Sequence, residues 1–359
     1  MSRVVAVDCG TMFFQTAEEI DGEYNIKTIR NAFVELNDDD DSGDTENILK
    51  QNGWNHIKHD NKYYVIGEDA LRVAKMLPGK LELRRPLQGG VLNKGEDMKM
   101  IILTELIRQT IGEGEPGDVV CTCVSSESVD ESIDNKFHKG RLMGIFKSLG
   151  WDVYVIEEGY AVILSENPTA EEDGEEIKYT GIGASFGGGR TNCVLSRNAV
   201  KITGMSVSMG GDYIDSNVSE QTGASISQVV SRKEKKLDFN NLDYDNDIIF
   251  ALDVYYTSLI ENAFKNFARK FNKEEGEFDY PLKIIIAGGT SMPNGFCDKV
   301  KEVLSKLKLP FEVEDVIHAK DPRNAVVKGC LRYAQIQNSK NKNKNKKPKE
   351  ELSDKDIFG

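Results

Sequence analysis

Short apolar runs broken by turn residues dominate this chain, and most have the length of buried strands. Val4-Val5-Ala6-Val7 is the first, and residues 118–124, 152–157 and 283–287 read the same way. Residues 54–66 alternate between apolar and polar and predict strand, as do 199–207 and 311–313. Stretches with helical spacing lie between them. Residues 96–111 place Met98, Ile102, Leu103, Leu106 and Ile107 on one face, and 127–149 do so with Ile133, Phe137, Leu142, Ile145 and Phe146. Gly67-Glu68-Asp69-Ala70 starts a helix, 247–271 predicts a long one, and 325–335 a closing one. Strands and helices interleave along the chain, an α/β arrangement.

Three turns stand out within that pattern. Residues 180–195 read as strand, turn and strand, with Gly187, Gly188 and Gly189 where the chain reverses. Glycines there are expected to take φ > 0 and to bring backbone N–H groups close to an anion. Successive N–H groups in such a turn form a concavity suited to phosphate oxygens. The first strand runs into Asp8-Cys9-Gly10-Thr11, again followed by an apolar pair, Phe13-Phe14. The third turn is Ala287-Gly288-Gly289-Thr290-Ser291-Met292-Pro293, where a buried strand meets two glycines. A helix is expected to begin there, with Ser or Thr as cap and Pro in the first turn.

These turns make the chain resemble the actin-like ATPases, which share their fold with sugar kinases and DnaK-type chaperones, and within them the bacterial actins of the MreB and MamK type. Asp8-Cys9-Gly10-Thr11 looks like the first phosphate loop, Gly187 to Thr191 like the second, and Ala287-Gly288-Gly289-Thr290 like the adenosine loop. Arg85-Pro86-Leu87-Gln88-Gly89-Gly90-Val91-Leu92 resembles the Pro-Leu-x-x-Gly-Val segment of those actins. Val155-Ile156-Glu157-Glu158-Gly159-Tyr160-Ala161 resembles their Ile-Glu-Glu-Pro-x-Ala connecting helix, and Met209-Gly210-Gly211-Asp212-Tyr213-Ile214-Asp215 their Gly-Gly-Asp-x-x-Asp turn. The resemblance runs from about residue 4 to 334. It implies two related domains, each a mixed sheet flanked by helices, with a nucleotide in the cleft between them. The implied first domain is 1–165, with a small subdomain at about 31–84 and a closing helix, 322–337, that returns to it. The second is 166–321, with a small subdomain at about 212–280.

The same resemblance implies roles for single residues. ATP is the expected cofactor. Asp8, Gly10 and Thr11 would hold its phosphates from one side, and Gly187, Gly188, Gly189 and Thr191 from the other. Gly210 and Gly211 would lie near the phosphates, with Asp212 capping the next helix. Gly288, Gly289 and Thr290 would face the adenosine, and Lys235, in a blurred Glu-x-x-Lys stretch, the ribose and base. Asp8 is the expected metal-side carboxylate, holding Mg²⁺ through water. Glu131, and after it Glu127, is expected to orient the attacking water, although acids in a first helical turn also suit the helix dipole. Two departures matter. Ser185 stands where the family usually has an Asp that helps hold metal-bound water, and Gly159 replaces the usual Pro. A hydroxyl brings no charge to Mg²⁺, which prefers carboxylate and phosphate oxygens, so slow hydrolysis is expected.

Composition narrows the partners. With 359 residues, 39% hydrophobic and 29% charged, the chain can bury two sizeable cores. No apolar run approaches the roughly 18 residues that cross a membrane, so no integral membrane segment is expected. Met1-Ser2-Arg3 leads straight into the first strand, so neither a signal peptide nor an N-terminal amphipathic helix is expected. The net charge of −13 argues against a folded surface that grips nucleic acid. The six cysteines show no zinc spacing and read as reduced core residues of a cytoplasmic protein. Acidic loops are expected at 37–44 and 167–178. From 338 the Lys/Asn-rich tail is expected to be disordered, free to touch DNA or a cargo adaptor. The resulting reading is a cytoplasmic, cytoskeletal protein that assembles with itself into ATP-dependent filaments to position or segregate DNA or an organelle. The alternative is a non-polymerising ATP-binding switch of the same fold, chaperone-like or a scaffold.

Overall fold

The computed structural model describes residues 2–37, 44–76, 79–92, 97–130, 135–166, 169–172, 175–274 and 281–346. Three antiparallel strands open the chain, β1 (Val4–Cys9), β2 (Phe13–Ile20) and β3 (Glu23–Arg30). A small antiparallel sheet follows, β4 (Phe33–Asn37), β5 (His56–His59) and β6 (Lys62–Ile66), with α1 (Asp44–Gln51) before β5 and α2 (Glu68–Met76) after β6. The stretch at 54–66 is therefore two strands, split by a turn in which Asp60 and Asn61 have positive φ. Then come α3 (Asp97–Ile111), β7 (Val119–Val124), α4 (Asn135–Ser148), β8 (Asp152–Glu157) and α5 (Glu158–Glu166). The expected acidic loop at 167–178 instead contains a hairpin, β9 (Thr169–Glu172) with β10 (Glu175–Lys178).

The second half repeats the plan. It holds β11 (Gly181–Phe186), β12 (Thr191–Arg197), β13 (Val200–Val207), α6 (Gly211–Thr222), α7 (Ile226–Lys235), α8 (Asp247–Glu274), β14 (Leu282–Ala287), α9 (Phe296–Ser305), β15 (Val313–His318) and α10 (Ala325–Lys346). The large sheets have the same order, β3-β2-β1-β7-β8 and β13-β12-β11-β14-β15, each a meander of three strands followed by two parallel ones. The parallel strands explain the apolar runs. Helices cover both faces, so β7 and β11 are buried along their whole length. The last strand lies later than the 311–313 expected.

Two helices join the halves. α5 leaves β8 of the first sheet and packs on β11 and β12 of the second, and α10 returns from the second half to pack on α5, β1 and β7. Their shared core mixes Ala6, Cys121 and Ile156 with Ile285, Ala287, Val327 and Leu331. At the crossing the approach is backbone to backbone. A Cβ on Gly329 would land on the Ala161 carbonyl oxygen, well inside contact distance. Gly159 and Gly183 meet similarly, a Cβ on Gly159 lying 2.8 Å from the Gly183 carbonyl oxygen and 3.0 Å from the Val194 nitrogen. No room remains for a proline ring at 159, which accounts for that departure. α10 runs on to Lys346, and the Asn341 amide donates to the Tyr154 hydroxyl at 2.9 Å. The segment expected to be disordered from 338 is therefore helical over its first nine residues. Residues 347–359 lie outside the described residues.

Candidate functional site

The β1–β2 and β11–β12 hairpins point at each other across the gap between the large sheets. In the second hairpin the Gly187 N–H donates to the Arg190 carbonyl at 2.9 Å, closing a tight loop. None of Gly187, Gly188 and Gly189 has positive φ, contrary to expectation. Glycine is needed there for nearness. A Cβ on Gly189 would lie 2.7 Å from both the Gly90 nitrogen and the Thr11 hydroxyl, and one on Gly188 would lie 3.0 Å from Met12 Cγ. The second loop thus touches the first directly, together with the Gln88–Val91 turn, where Gly89 and Gly90 do adopt φ of 55° and 78°. In the first hairpin, Asn31 donates from its side chain to the Gly10 carbonyl at 2.9 Å and fixes the bend.

Carboxylates lie beneath the meeting point. Asp8 is the last residue but one of β1, and Glu158 opens α5 just after β8. Glu158 accepts from the Ser185 hydroxyl at 3.1 Å, the Asn192 amide at 3.0 Å and the Ser125 hydroxyl at 3.3 Å. Burial first, and the charge of Asp8 second, push its carboxyl up to about 7. Burial likewise pushes Asp8 up to about 6, against a hydrogen bond from the Cys123 thiol at 3.3 Å. Ser185 therefore serves Glu158. The pair Glu157-Glu158 belongs to a recognised motif, yet nothing local shows that the second acid is the one held by residues from three other segments. Arg190, 2% exposed, bridges the halves from the second loop, donating to Ser128 Oγ at 2.6 Å, Ser206 Oγ at 3.3 Å and the Gly89 carbonyl at 3.4 Å.

Raised carboxyls make folding pH-dependent. The folded protein keeps protons on Asp8 and Glu158 at pH values where the unfolded chain, with carboxyls near 4, has released them. That stability is fully present below about pH 4 and is lost as pH rises through about 6 to 7. The melting temperature of the nucleotide-free protein should fall between pH 5 and pH 8, and Glu158→Gln should flatten the slope. An unchanged slope in that variant would remove Glu158 from the account.

The remaining expected site residues fall as follows. Thr191 is buried and donates to the Met209 carbonyl. Gly210 and Gly211 brace the second loop from behind. The N–H groups of Gly211 and Asp212 donate to the carbonyls of Gly187 and Gly188 at 3.0 and 2.8 Å. Asp212 is not the cap of α6; Gly210 is, and Asp212 sits in the first turn. Gly288 has φ 103° and packs on the Phe186 backbone, Gly289 faces open space, and Thr290 donates to the Gly187 carbonyl at 2.8 Å. No Ser or Thr caps α9; Gly295 does, in the left-handed region. Lys235 is exposed on α7, whereas Lys233 turns inward to Asp215 at 2.7 Å behind Gly211. Glu131 lies outside the described residues. Glu127 is exposed and ion-paired with Lys270 at 2.9 Å, which holds its carboxyl below the usual range. It stands before α4, where Ser128 pairs with Ser206 of β13, and not in the helix expected over 127–149. The structure does not bring Glu127 or Lys235 to the hairpins.

The family comparison covers almost all of this architecture, since residues 4–334 match the Volactin family. No curated protein matches the sequence. The MamK double helical filament matches with a TM-score of 0.66 and 18% identity, over 92% of this chain and 98% of that one. MreB5 of Spiroplasma citri bound to ADP matches at 0.63 and 14%, over 96% and 99%. The fold is thereby that of the bacterial actins, as the turns implied.

Proposed function

The chain belongs to the Volactin family and has the actin-like fold, and from that premise we propose that it binds ATP with Mg²⁺ between its halves and assembles with further copies into filaments. The observation that carries this reading is the meeting of two glycine loops, one from each large sheet, directly above Asp8 and Glu158. Glycine loops of this kind suit a polyphosphate, because backbone N–H groups in such turns can face anionic oxygens, and at Gly10 and Gly189 the close approach of the chain leaves no space for a Cβ. Among the described residues no group of three or more His, Cys, Asp or Glu is arranged to hold a metal ion. Asp8 would be the carboxylate that holds Mg²⁺ through water. ATP–Mg²⁺, when bound, would supply the phosphoanhydride and the charge neutralisation for its cleavage. Glu158, in reach of Ser185, Asn192 and Ser125, would be the carboxylate that accepts the proton of an attacking water. Ser185, Ser125 and Asn192 aim it.

Filament assembly is supported by the fold shared with the MamK filament, and the ADP in the MreB5 structure supports nucleotide binding. A head-to-tail contact that does not close gives an open filament. No helix among the described residues is long and apolar enough to cross a membrane. Assembly in the cytoplasm, as part of a cytoskeleton, is part of this proposal and is supported by the fold shared with the MamK filament. Lys340 and Lys342 are exposed near the end of α10 and would belong to the segment that meets anionic cargo such as DNA. The test is light scattering with phosphate release in one cuvette after adding ATP–Mg²⁺. A rise, with filaments by electron microscopy, is expected, with slow phosphate release. Bound ATP without any rise across salt and protein concentrations would favour the non-polymerising switch.

A further inference from the structure

Three buried polar residues stand in one row across the second large sheet. Ser185 of β11 lies opposite Asn192 of β12, and Asn192 lies opposite Ser206 of β13. Directly opposed residues of antiparallel strands share a face of the sheet, so the three side chains line up on one side. Buried hydroxyl and amide groups are costly unless each is bonded. Here the row receives two elements of the first half. Ser185 and Asn192 both donate to Glu158 Oε2, at 3.1 and 3.0 Å. Asn192 Oδ1 accepts from the Ser126 N–H at 3.0 Å, and the Ser206 hydroxyl donates to the Ser126 carbonyl at 2.8 Å.

The main chain carries the second contact further. The Ser206 N–H donates to the Glu127 carbonyl at 2.8 Å, and the Val129 N–H to the Ser206 carbonyl at 3.1 Å. Asp130 fastens the end, accepting from the Ser208 N–H at 2.8 Å and from the Ser208 hydroxyl at 3.1 Å. Residues 126–130 of the first half thus lie as a strap along β13 of the second. Within the row, Asn192 is the member bonded to both the strap and Glu158. An amide presents an acceptor on one side and a donor on the other. With its oxygen held by the Ser126 N–H, its amino group must face Glu158. Turned over, it would set oxygen against a carboxylate oxygen and leave the buried Ser126 N–H without its acceptor.

We infer that Asn192 is a positioning residue governed by the strap: seating of residues 126–130 on β13 sets the sense of the Asn192 amide, and that amide sets the direction of the Glu158 carboxylate. The inference rests on the reading of Glu158 as proton acceptor given above. The aim of the acid then depends on contact between the halves, because Glu158 and the strap belong to one and Asn192 to the other. Asp130 acts on the rate from the surface, through the strap and the amide.

Phosphate release at saturating ATP–Mg²⁺, measured beside the affinity for AMP-PNP–Mg²⁺ by calorimetry on the full chain, tests this. Asn192→Ala should slow release by about tenfold or more and change affinity by less than about twofold, since a misdirected acid costs rate and not binding. Asp130→Ala, which unfastens the strap, should slow release by about three- to tenfold with affinity likewise held. The double variant should match Asn192→Ala within about twofold, because the strap acts through that amide. Multiplying effects in the double variant, affinity falling in step with rate, or an Asn192→Ala rate within about twofold of wild type would overturn the inference. Should Asn192→Ala not fold, Asp130→Ala, at an exposed site, decides alone: an unchanged rate, or a loss of affinity equal to the loss of rate, would overturn it. A wild-type chain that binds AMP-PNP–Mg²⁺ but releases no phosphate from ATP would instead overturn the reading of Glu158, and this inference with it.

Discussion

Gly189→Val is expected to weaken ATP–Mg²⁺ binding by about 10- to 100-fold, the equivalent of the roughly 1–3 kcal/mol that an overpacked contact costs. The new side chain would have to displace the Gly90 nitrogen and the Thr11 hydroxyl, each 2.7 Å from the Cβ position, and the Gly89 carbonyl carbon at 3.0 Å. Two of these are backbone and cannot swing aside. The loops must separate, and the phosphate cradle widens with them. Replacing both Gly187 and Gly188 by Ala is milder. The new methyls meet the Arg190 carbonyl and Met12 Cγ, each at 3.0 Å, and the methionine is flexible. A fluorescent nucleotide titration gives the order. Affinity of the Gly189 variant within twofold of wild type would mean that the loops do not grip the ligand together.

The second large effect falls on stability. Gly329→Val is expected to cost about 3 kcal/mol or more, at or above the upper end for overpacking, because a main-chain oxygen stands where the Cβ must go. Against a typical total of about 5–15 kcal/mol that is a large share. Both Gly329 and Ala161 are buried, and α10 would have to lift from α5, opening a core shared by both sheets. Urea denaturation measures the loss. A change below about 1 kcal/mol would show that the crossing relaxes like an ordinary surface contact.

Features that depend on near neighbours in the chain were legible before the fold was seen. The apolar runs named the central strands, and the glycines marked the turns between them. What depended on distant partners was not. The glycine loop reads as a problem of φ, yet its geometry is ordinary; its constraint comes from Gly90 and Thr11, about 100 and 180 positions away in the sequence. Glu158 is visible as a letter in a motif, but its task is set by Ser125, Ser185 and Asn192, which only the two sheets bring together. Lys235 and Lys233 differ by two positions, which on a helix turns a side chain to nearly the opposite face, and a lone basic cluster does not reveal the phase. The Lys/Asn stretch has no apolar pattern to announce a helix. It continues one already nucleated at Ala325, where each further residue costs little. Residues 127–130 carry acids suited to a helix start, but β13 draws them into an extended bridge.

The α5–α10 crossing also bears on motion. Where two helices interlock through side chains, relative rotation has to lift each knob over a ridge. Between Gly329 and Ala161 the main chains touch with nothing keyed between them, and Gly159 rests on Gly183 in the same manner at the head of α5. Any change of angle between the halves is expected to turn about these main-chain contacts and to strain the bonds that cross the gap elsewhere, from Arg190 to the Gly89 carbonyl, from Arg85 to Asp212, and from Ser185 and Asn192 to Glu158.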